Sequence, residues 1–154
     1  MRNVILQAVA ITASAATVVA SGVVLAAARQ VPAAPVFTIQ QATAGKAAYT
    51  KSCASCHMPD LSGNNEIPAL TDTAFKDTWG PRTTKELFNY MSAAMPYGAA
   101  SLSVEAYTTI TAYILQFNGA VAGEQELSAS TAAKISSLTA ARTTPAGDGA
   151  ASAP

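Results

Sequence analysis

The sequence predicts an all-α fold for the central part of the chain, and three observations support this prediction. Thr38 with Gln41, and Thr83 with Glu86, have the spacing of a capping box, in which two residues satisfy free backbone N–H groups at a helix start. Apolar side chains after each box recur at intervals of three and four residues, as on one face of a helix. No segment alternates apolar and polar residues as a half-buried strand does.

Residues 1–28 form an apolar segment that we interpret as a targeting element. Positions 4–28 carry no charge, Arg2 supplies a positive start, and Ala26-Ala27-Ala28 is an acceptable signal-peptidase cleavage site. The uncharged run exceeds the usual ~7–15-residue apolar region of a signal, and about 20 residues suffice to span a bilayer. A cleaved signal peptide and a retained membrane anchor therefore both remain open, and both predict export. Residues 29–37 contain two prolines and are predicted to form a short stiff linker.

The first helix is predicted to begin after Thr38. Gly45, Tyr49 and Cys53 follow at steps of four residues, so they share one face of this helix. Residues 58–70 are rich in proline, glycine and asparagine, and this composition predicts a loop.

Two further helices are predicted before residue 96. A short helix spans Thr71 to about Asp77, and Gly80-Pro81 ends it. A longer helix begins after Thr83 and ends before Met95-Pro96, because the residue before a proline is disfavoured in a helix. Its apolar stripe consists of Leu87, Tyr90, Met91 and Ala94.

The last core helix is predicted to begin at Ser103 and to close at Asn118-Gly119. Its apolar face carries Tyr107, Ile110, Ile114 and Phe117. We therefore assign residues 38–123 to the folded domain and 124–154 to a C-terminal extension. One small helix packed on the domain is predicted from Leu127, Ile135 and Leu138. From about Thr143 the composition predicts a flexible, disordered tail.

Residues 53–57 read Cys-Ala-Ser-Cys-His, and C-x-x-C-H is the attachment signature of c-type haem. Two thiols on one helical turn can each form a thioether to the porphyrin, and the adjacent histidine can ligate the iron through a neutral imidazole nitrogen. Cys53 and Cys56 are the only cysteines, and His57 is the only histidine. Bis-histidine ligation and Cys₄ or Cys₂His₂ zinc sites are thereby excluded within the chain. A disulfide pair and a thioredoxin-like dithiol are the alternatives.

Composition and charge restrict the class of partner. Charged residues make up 12% of the chain, against about a quarter in typical soluble domains. From Arg29 onward, eight Lys and Arg oppose nine Asp and Glu, which gives a net charge of −1. Because no basic block or basic–aromatic pattern is present, nucleic acid is not an expected partner.

These residues together resemble the class I cytochrome c family, the small single-haem electron carriers. The resemblance covers roughly residues 38–119 and rests on the attachment motif, on Gly45 and Tyr49 before it, on Met95-Pro96, and on the segment 110–114. It implies three to five helices around one covalently bound haem c. It also implies that the first and last core helices cross closely, with Gly45 as the small residue that permits close contact.

The second axial ligand of the iron is then expected to be a methionine. Met58 is adjacent to His57 and cannot reach the opposite face of the ring, while Met91 has the spacing of the apolar stripe and is expected in the core. Met95 follows the predicted helix end, precedes a proline and lies 38 residues after His57. Met95-Pro96 resembles the ligand loop of the family, so Met95 is the predicted ligand.

The resemblance also implies roles for three residues around the haem. Pro68 is expected to offer its carbonyl to the second imidazole nitrogen of His57, which fixes the ring and makes the ligand more basic. Trp79 and Arg82 are candidates to bind the haem propionates, because both carry N–H donors. The alternatives are a core aromatic for Trp79 and a solvated surface charge for Arg82.

The predicted function is one-electron transfer by haem c with His57 and Met95 as axial ligands, without enzymatic activity of the chain itself. The expected partners are redox proteins, such as a dehydrogenase, another cytochrome, a terminal oxidase or a photosynthetic complex. The expected location is the periplasm, with the domain either soluble or anchored to the inner membrane. Residues 118–127 are also similar to cytochromes that accompany periplasmic dehydrogenases, including quinoprotein ones, so a subunit of such a complex is one alternative. A haem enzyme or gas sensor with open iron is another.

Overall fold

The computed structural model describes residues 33–99 and 101–140, and over these ranges it contains helices and no β-strand. The helices are α1 Ile39–Ser52, α2 Ala54–His57, α3 Asp72–Trp79, α4 Thr84–Ala94, α5 Val104–Phe117 and α6 Ile135–Thr139. The all-α prediction is thus confirmed, with α1 to α5 inside the predicted domain and α6 in the extension. The targeting segment 1–28 and the tail from Thr143 lie outside the described residues. Within the described ranges, no helix has the length and apolar character that a membrane span requires.

Both predicted capping boxes are present and fix the starts of α1 and α4. The Thr38 hydroxyl accepts from the Gln41 N–H at 3.2 Å, and the Gln41 side chain accepts from the Thr38 N–H at 3.3 Å. The Thr83 N–H donates to the Glu86 carboxylate at 2.8 Å, and Thr83 Oγ1 accepts from the Glu86 N–H at 3.3 Å. The hydrogen bonds from Thr83 lower the pKa of Glu86. Because each box needs only residues three apart, the sequence alone locates these helix starts.

Helices α1 and α5 form the main packing contact of the domain, with Gly45 at their closest approach. A Cβ atom on Gly45 would lie 1.8 Å from the carbonyl oxygen of Thr109 and 3.0 Å from Cβ of Tyr113. One turn further along α1, the ring of Tyr49 packs on that of Tyr113 with centroids 5.4 Å apart. The close contact expected at Gly45 is therefore confirmed.

Helix α5 is buried on most of its surface, but Phe117 on its predicted apolar face is exposed. Tyr107, Ile110 and Ile114 are buried, whereas Phe117 is 42% exposed and contacts Tyr113 edge-on. At about 100° per residue, Phe117 lies between the directions of Ile110 and Tyr113, which are both buried, but it is the last residue of α5 and so lies at the end of the packed surface. The four side chains therefore share one face of α5 as predicted, but only the first three belong to the buried core.

The chain after α5 wraps back over the domain. Leu127, Ile135 and Leu138 are buried, and α6 confirms the small helix predicted there. The Gly123 N–H donates to the Phe37 carbonyl at 2.8 Å, and Phe37 is fully buried although it closes the predicted linker 29–37. The end of this stretch therefore belongs to the core and is hydrogen-bonded to the C-terminal segment.

A second bridge between the N- and C-terminal segments runs through Gln41. Its Nε2 donates to the Leu127 carbonyl at 2.8 Å, and its Oε1 accepts from the Leu127 N–H at 2.8 Å.

We expect Gln41→Glu to destabilise the fold by about 1–3 kcal/mol, because a carboxylate would face the Leu127 carbonyl without a donor. The measurement is urea unfolding, with Gln40→Glu as the matched control. Gln40 is exposed in the same helical turn, so its variant should stay within about 0.5 kcal/mol of wild type. Equal effects of the two changes would contradict this role of Gln41.

Candidate haem c site

The attachment motif lies in one tight turn between α1 and α2. Cys53 is the residue that ends α1, and its carbonyl accepts from the N–H groups of Cys56 at 3.1 Å and His57 at 2.9 Å. Both cysteines are free thiols, Cys53 half-buried and Cys56 exposed. Burial, and secondarily the charge of Cys56, raises the pKa of the Cys53 thiol to about 11. The fold therefore holds two unpaired sulfur atoms and an imidazole on adjacent positions of one turn.

The orientation of the His57 ring is defined by a contact with the loop that follows. Its Nδ1 lies 3.0 Å from the carbonyl oxygen of Pro68. A carbonyl oxygen can only accept, so Nδ1 carries the proton in this contact. In the neutral imidazole the lone pair is then on Nε2, which is the form that binds a metal.

The loop that carries Pro68 folds back on the attachment turn. The Gly63 N–H donates to the His57 carbonyl at 3.1 Å, and the Asn64 N–H donates to the Ile67 carbonyl at 2.8 Å. Gly63 has φ +62, and a Cβ atom there would lie 2.3 Å from the Ile67 carbonyl oxygen. Only glycine fits both this backbone conformation and this approach. The loop is thus built to hold the Ile67-Pro68 backbone against the histidine.

Met95 ends α4, and its backbone is held at both polar groups. Its N–H donates to the Met91 carbonyl at 2.9 Å, and its carbonyl accepts from the Tyr107 hydroxyl of α5. The Tyr107 oxygen also accepts from the Leu102 N–H at 3.1 Å. The Met95 side chain is half-buried. Sequence reasoning gave Tyr107 a packing role alone, although a buried tyrosine hydroxyl generally needs a polar partner.

The other two candidate methionines have different environments. Met91 is 8% exposed and belongs to the apolar core, in keeping with its place in the α4 stripe. Met58 directly follows α2 with φ +65, and its carbonyl accepts from the Tyr49 hydroxyl at 2.7 Å. Burial is the main cause that raises the pKa of Tyr49, so this hydroxyl stays protonated and donating.

Trp79 and Arg82 lie together at the end of α3. The guanidinium carbon of Arg82 is 5.0 Å from the centroid of the Trp79 ring, within the range of a cation–π contact. Trp79 is 7% exposed and also packs on Tyr90, with centroids 5.3 Å apart, while Arg82 is exposed. The two residues form one cluster. The burial of Trp79 suits a core aromatic and the exposure of Arg82 suits a surface charge, while the N–H donors of both would also suit haem propionates.

The donor set fits haem c. Two free thiols can form thioethers, one imidazole has Nε2 available, and a methionine follows α4. Within residues 33–99 and 101–140, no three His, Cys, Asp or Glu side chains cluster as a site for a bare metal ion would require. The chemistry of the donors therefore points to a porphyrin-bound iron.

The chain is similar to a known protein family and to a solved structure. A family model described as cytochrome c oxidase, cbb3-type, subunit III matches residues 40–114. Among solved structures, the sulfane dehydrogenase SoxCD from Paracoccus pantotrophus is similar, with 27% sequence identity and a TM-score of 0.44. That similarity covers 64% of this chain and 51% of the other, so the chain spans about half the length of that relative. No curated protein matches the sequence.

The attachment motif, the helical fold and the family match define a c-type cytochrome. These findings support a class I c-type cytochrome, a class that implies haem c and electron transfer.

Proposed function

We propose that the chain binds one haem c through thioethers from Cys53 and Cys56, with His57 and Met95 as axial ligands, and carries single electrons between redox partners in the periplasm. The observation that carries the proposal is the attachment turn, in which the only two cysteines adjoin the only histidine and Pro68 fixes the ring tautomer. The bound haem supplies a reversible one-electron change at its iron.

The chain's own residues then perform three tasks. Cys53 and Cys56 hold the group irreversibly, and the Pro68 carbonyl keeps the Nδ1 proton of His57 in place so that Nε2 binds. Met95 provides a soft thioether, which favours ferrous iron and raises the potential. If His57 and Met95 both bound the iron, the haem would offer no position to a substrate. This ligation supports a carrier rather than an enzyme.

The surface next to the attachment turn supports brief encounters with partners. The sequence suggests that this surface comprises Ala54, Ser55, Met58, Pro59 and residues 95–98. Ser55, Cys56, Pro59 and Tyr97 are exposed, whereas Ala54 is buried and does not contribute. A small, largely uncharged surface suits weak and transient electron-transfer contacts. Dehydrogenases, other cytochromes, terminal oxidases and photosynthetic complexes are the proposed partner classes, met in the periplasm by a soluble or anchored domain.

The experiment that tests attachment is a comparison of cysteine variants expressed with haem-attachment machinery. We expect intact mass to show one haem on the wild type, retained through acid–acetone extraction. Cys53→Ala with Cys56→Ala should lose the haem in that extraction, because no thioether remains. Ser55→Ala is the matched control and should retain it. Haem retained by the double variant, or bare wild-type polypeptide, would refute the covalent attachment.

Purification of the chain, its reduction by a candidate dehydrogenase and its reaction with carbon monoxide distinguish a carrier, a subunit of a complex and a protein with open iron. A chain that purifies alone and is rapidly reduced by a candidate dehydrogenase is a carrier, whereas constant co-purification with such an enzyme indicates a subunit. Rapid binding of carbon monoxide to the wild type would instead indicate open iron, as in a haem enzyme or gas sensor.

A further inference from the structure

Asn118 is a buried polar residue that the proposed function does not use. It caps the C-terminus of α5 and is 7% exposed. Its Nδ2 donates to the Leu70 carbonyl at 2.8 Å and to the Ile114 carbonyl at 2.9 Å. Because both partners are acceptors, only the NH₂ end of the amide can face them.

The other end of the same amide has no partner. Oδ1 of Asn118 is buried, and no hydrogen bond to it is present among residues 33–99 and 101–140. An unpaired buried acceptor costs free energy, and an apolar side chain of the same shape would avoid that cost. The contribution of Asn118 to the fold therefore lies in its two N–H donors. One of them serves its own helix, and the other reaches a loop 48 residues away in sequence.

That loop is the one that orients His57. Leu70 comes two residues after Pro68, whose carbonyl lies 3.0 Å from Nδ1 of His57. The Leu70 N–H donates to the Leu61 carbonyl at 2.8 Å, so both polar groups of Leu70 are fixed. On the other side of the loop, a Cβ atom at Gly63 would lie 2.7 Å from the Pro68 carbonyl carbon. The Pro68 peptide thus lies between the close contact with Gly63 and the residue Leu70, whose N–H and carbonyl are both hydrogen-bonded.

We propose that Asn118 is a positioning residue for the axial histidine: by binding the Leu70 carbonyl, it keeps the Pro68 carbonyl in hydrogen-bond contact with the Nδ1–H of His57. The proposal rests on the proposed function, since it concerns His57 as an iron ligand. Helix α5 is thereby connected to the ligand without touching it. The consequence is a protected ring N–H and a more basic ligand.

The test is hydrogen exchange of the His57 ring N–H in the reduced holoprotein, followed by NMR. His57 is the only histidine, so ¹⁵N-histidine labelling gives an unambiguous ring signal. Asn118→Asp keeps the side-chain shape but places acceptors against two carbonyls. We expect ring exchange to rise about tenfold or more, because exchange requires the Nδ1–H to Pro68 contact to open. Asn118→Leu removes the donors without adding charge and should raise the exchange rate in the same direction.

Thr111→Val is the matched control. Thr111 is fully buried in α5 and donates to the Tyr107 carbonyl at 2.8 Å, so its variant also loses one side-chain hydrogen bond from the same helix. Its ring exchange should stay within about twofold of wild type. Backbone amides of α5 serve as the internal reference in every variant.

The outcomes are distinguishable. Ring exchange that is unchanged in a folded Asn118→Leu or Asn118→Asp variant overturns the proposal, and so does exchange that rises only in parallel with the α5 amides. If Asn118→Asp does not fold, Asn118→Leu decides alone. A wild type without covalent, low-spin haem refutes the proposed function before any Asn118 variant is compared.

Discussion

Replacing Met95 with alanine is expected to open one axial position of the haem iron, the largest spectroscopic change that we predict. The ferric charge-transfer band that reports an iron–thioether bond should disappear, and the ferrous form should bind carbon monoxide rapidly. The reduction potential should fall by on the order of 0.2 V, a part of the roughly 0.8 V range that axial ligands cover. The physical reason is the loss of a soft ligand that favours ferrous iron. Optical titration against redox mediators measures the potential and the ferric band, and stopped-flow mixing of the ferrous form with carbon monoxide measures the binding rate.

Met91→Leu is the control for this prediction, because Met91 is four residues earlier and buried in the core. Leucine conserves most of the volume, so the variant should lose less than about 1.5 kcal/mol of stability and keep the thioether band. The reverse result, with normal spectra for Met95→Ala and a lost band for Met91→Leu, would make Met91 the ligand. A thioether band that is kept in both variants, or is absent from the wild type, would refute our assignment.

The features that sequence predicted correctly are those encoded by neighbours along the chain. The capping boxes of α1 and α4 need residues three apart, and the attachment turn needs five consecutive residues. The close contact at Gly45 was implied by the resemblance to the cytochrome family, and it explains why the cost of a glycine inside a helix is tolerated. For the capping boxes and the attachment turn, the physical interaction and the sequence pattern have the same short range, whereas the contact of Gly45 with Thr109 joins distant segments.

The features that sequence missed are hydrogen bonds between distant segments. Tyr107 binds the carbonyl of Met95 twelve residues away, Asn118 binds Leu70 across 48 residues, and Gln41 binds Leu127 across 86. A tyrosine, asparagine or glutamine has many possible partners, and only the packed helices decide which carbonyl is near. The parts of the candidate site that hold its ligands in place therefore could not be predicted from local patterns.

Met95, the proposed axial ligand, lies between these two cases. Its helix end and the following proline are local signals, which single out Met95 among the candidates. The hydrogen bond from the Tyr107 hydroxyl of α5 to its carbonyl is not a local signal and could be identified only from the fold. Helix α5 thus contacts both sides of the candidate site, through Tyr107 at one end and Asn118 at the other. Any change that displaces α5 should disturb the ligands together.

Gly45→Ala is the substitution that displaces α5 most directly. In an isolated helix this change would stabilise by about 1 kcal/mol, since alanine is the better helix former. Here the new Cβ atom would lie 1.8 Å from the carbonyl oxygen and 2.4 Å from the carbonyl carbon of Thr109. These are backbone atoms of a buried helix, so the clash cannot be relieved by a side-chain rotation and α1 must separate from α5. We expect a net loss of about 3 kcal/mol, at the upper end for overpacked cores, and a fall in Tm of roughly 10–20 °C.

Gly98→Ala provides the matched control, because the same chemical change there meets no atom within 4 Å. Its only cost is the positive φ of +71, about 1–2 kcal/mol. Thermal unfolding of the two holoproteins gives the comparison, and the thioether band of Gly45→Ala should weaken below Tm as α5 shifts Tyr107 away from Met95. If Gly45→Ala were no less stable than Gly98→Ala, the close contact of α1 and α5 would not limit stability. Because α1 delivers Cys53 and α5 anchors the chain at Met95 and Leu70, the free energy of this one crossing couples the attachment turn to the proposed axial ligands.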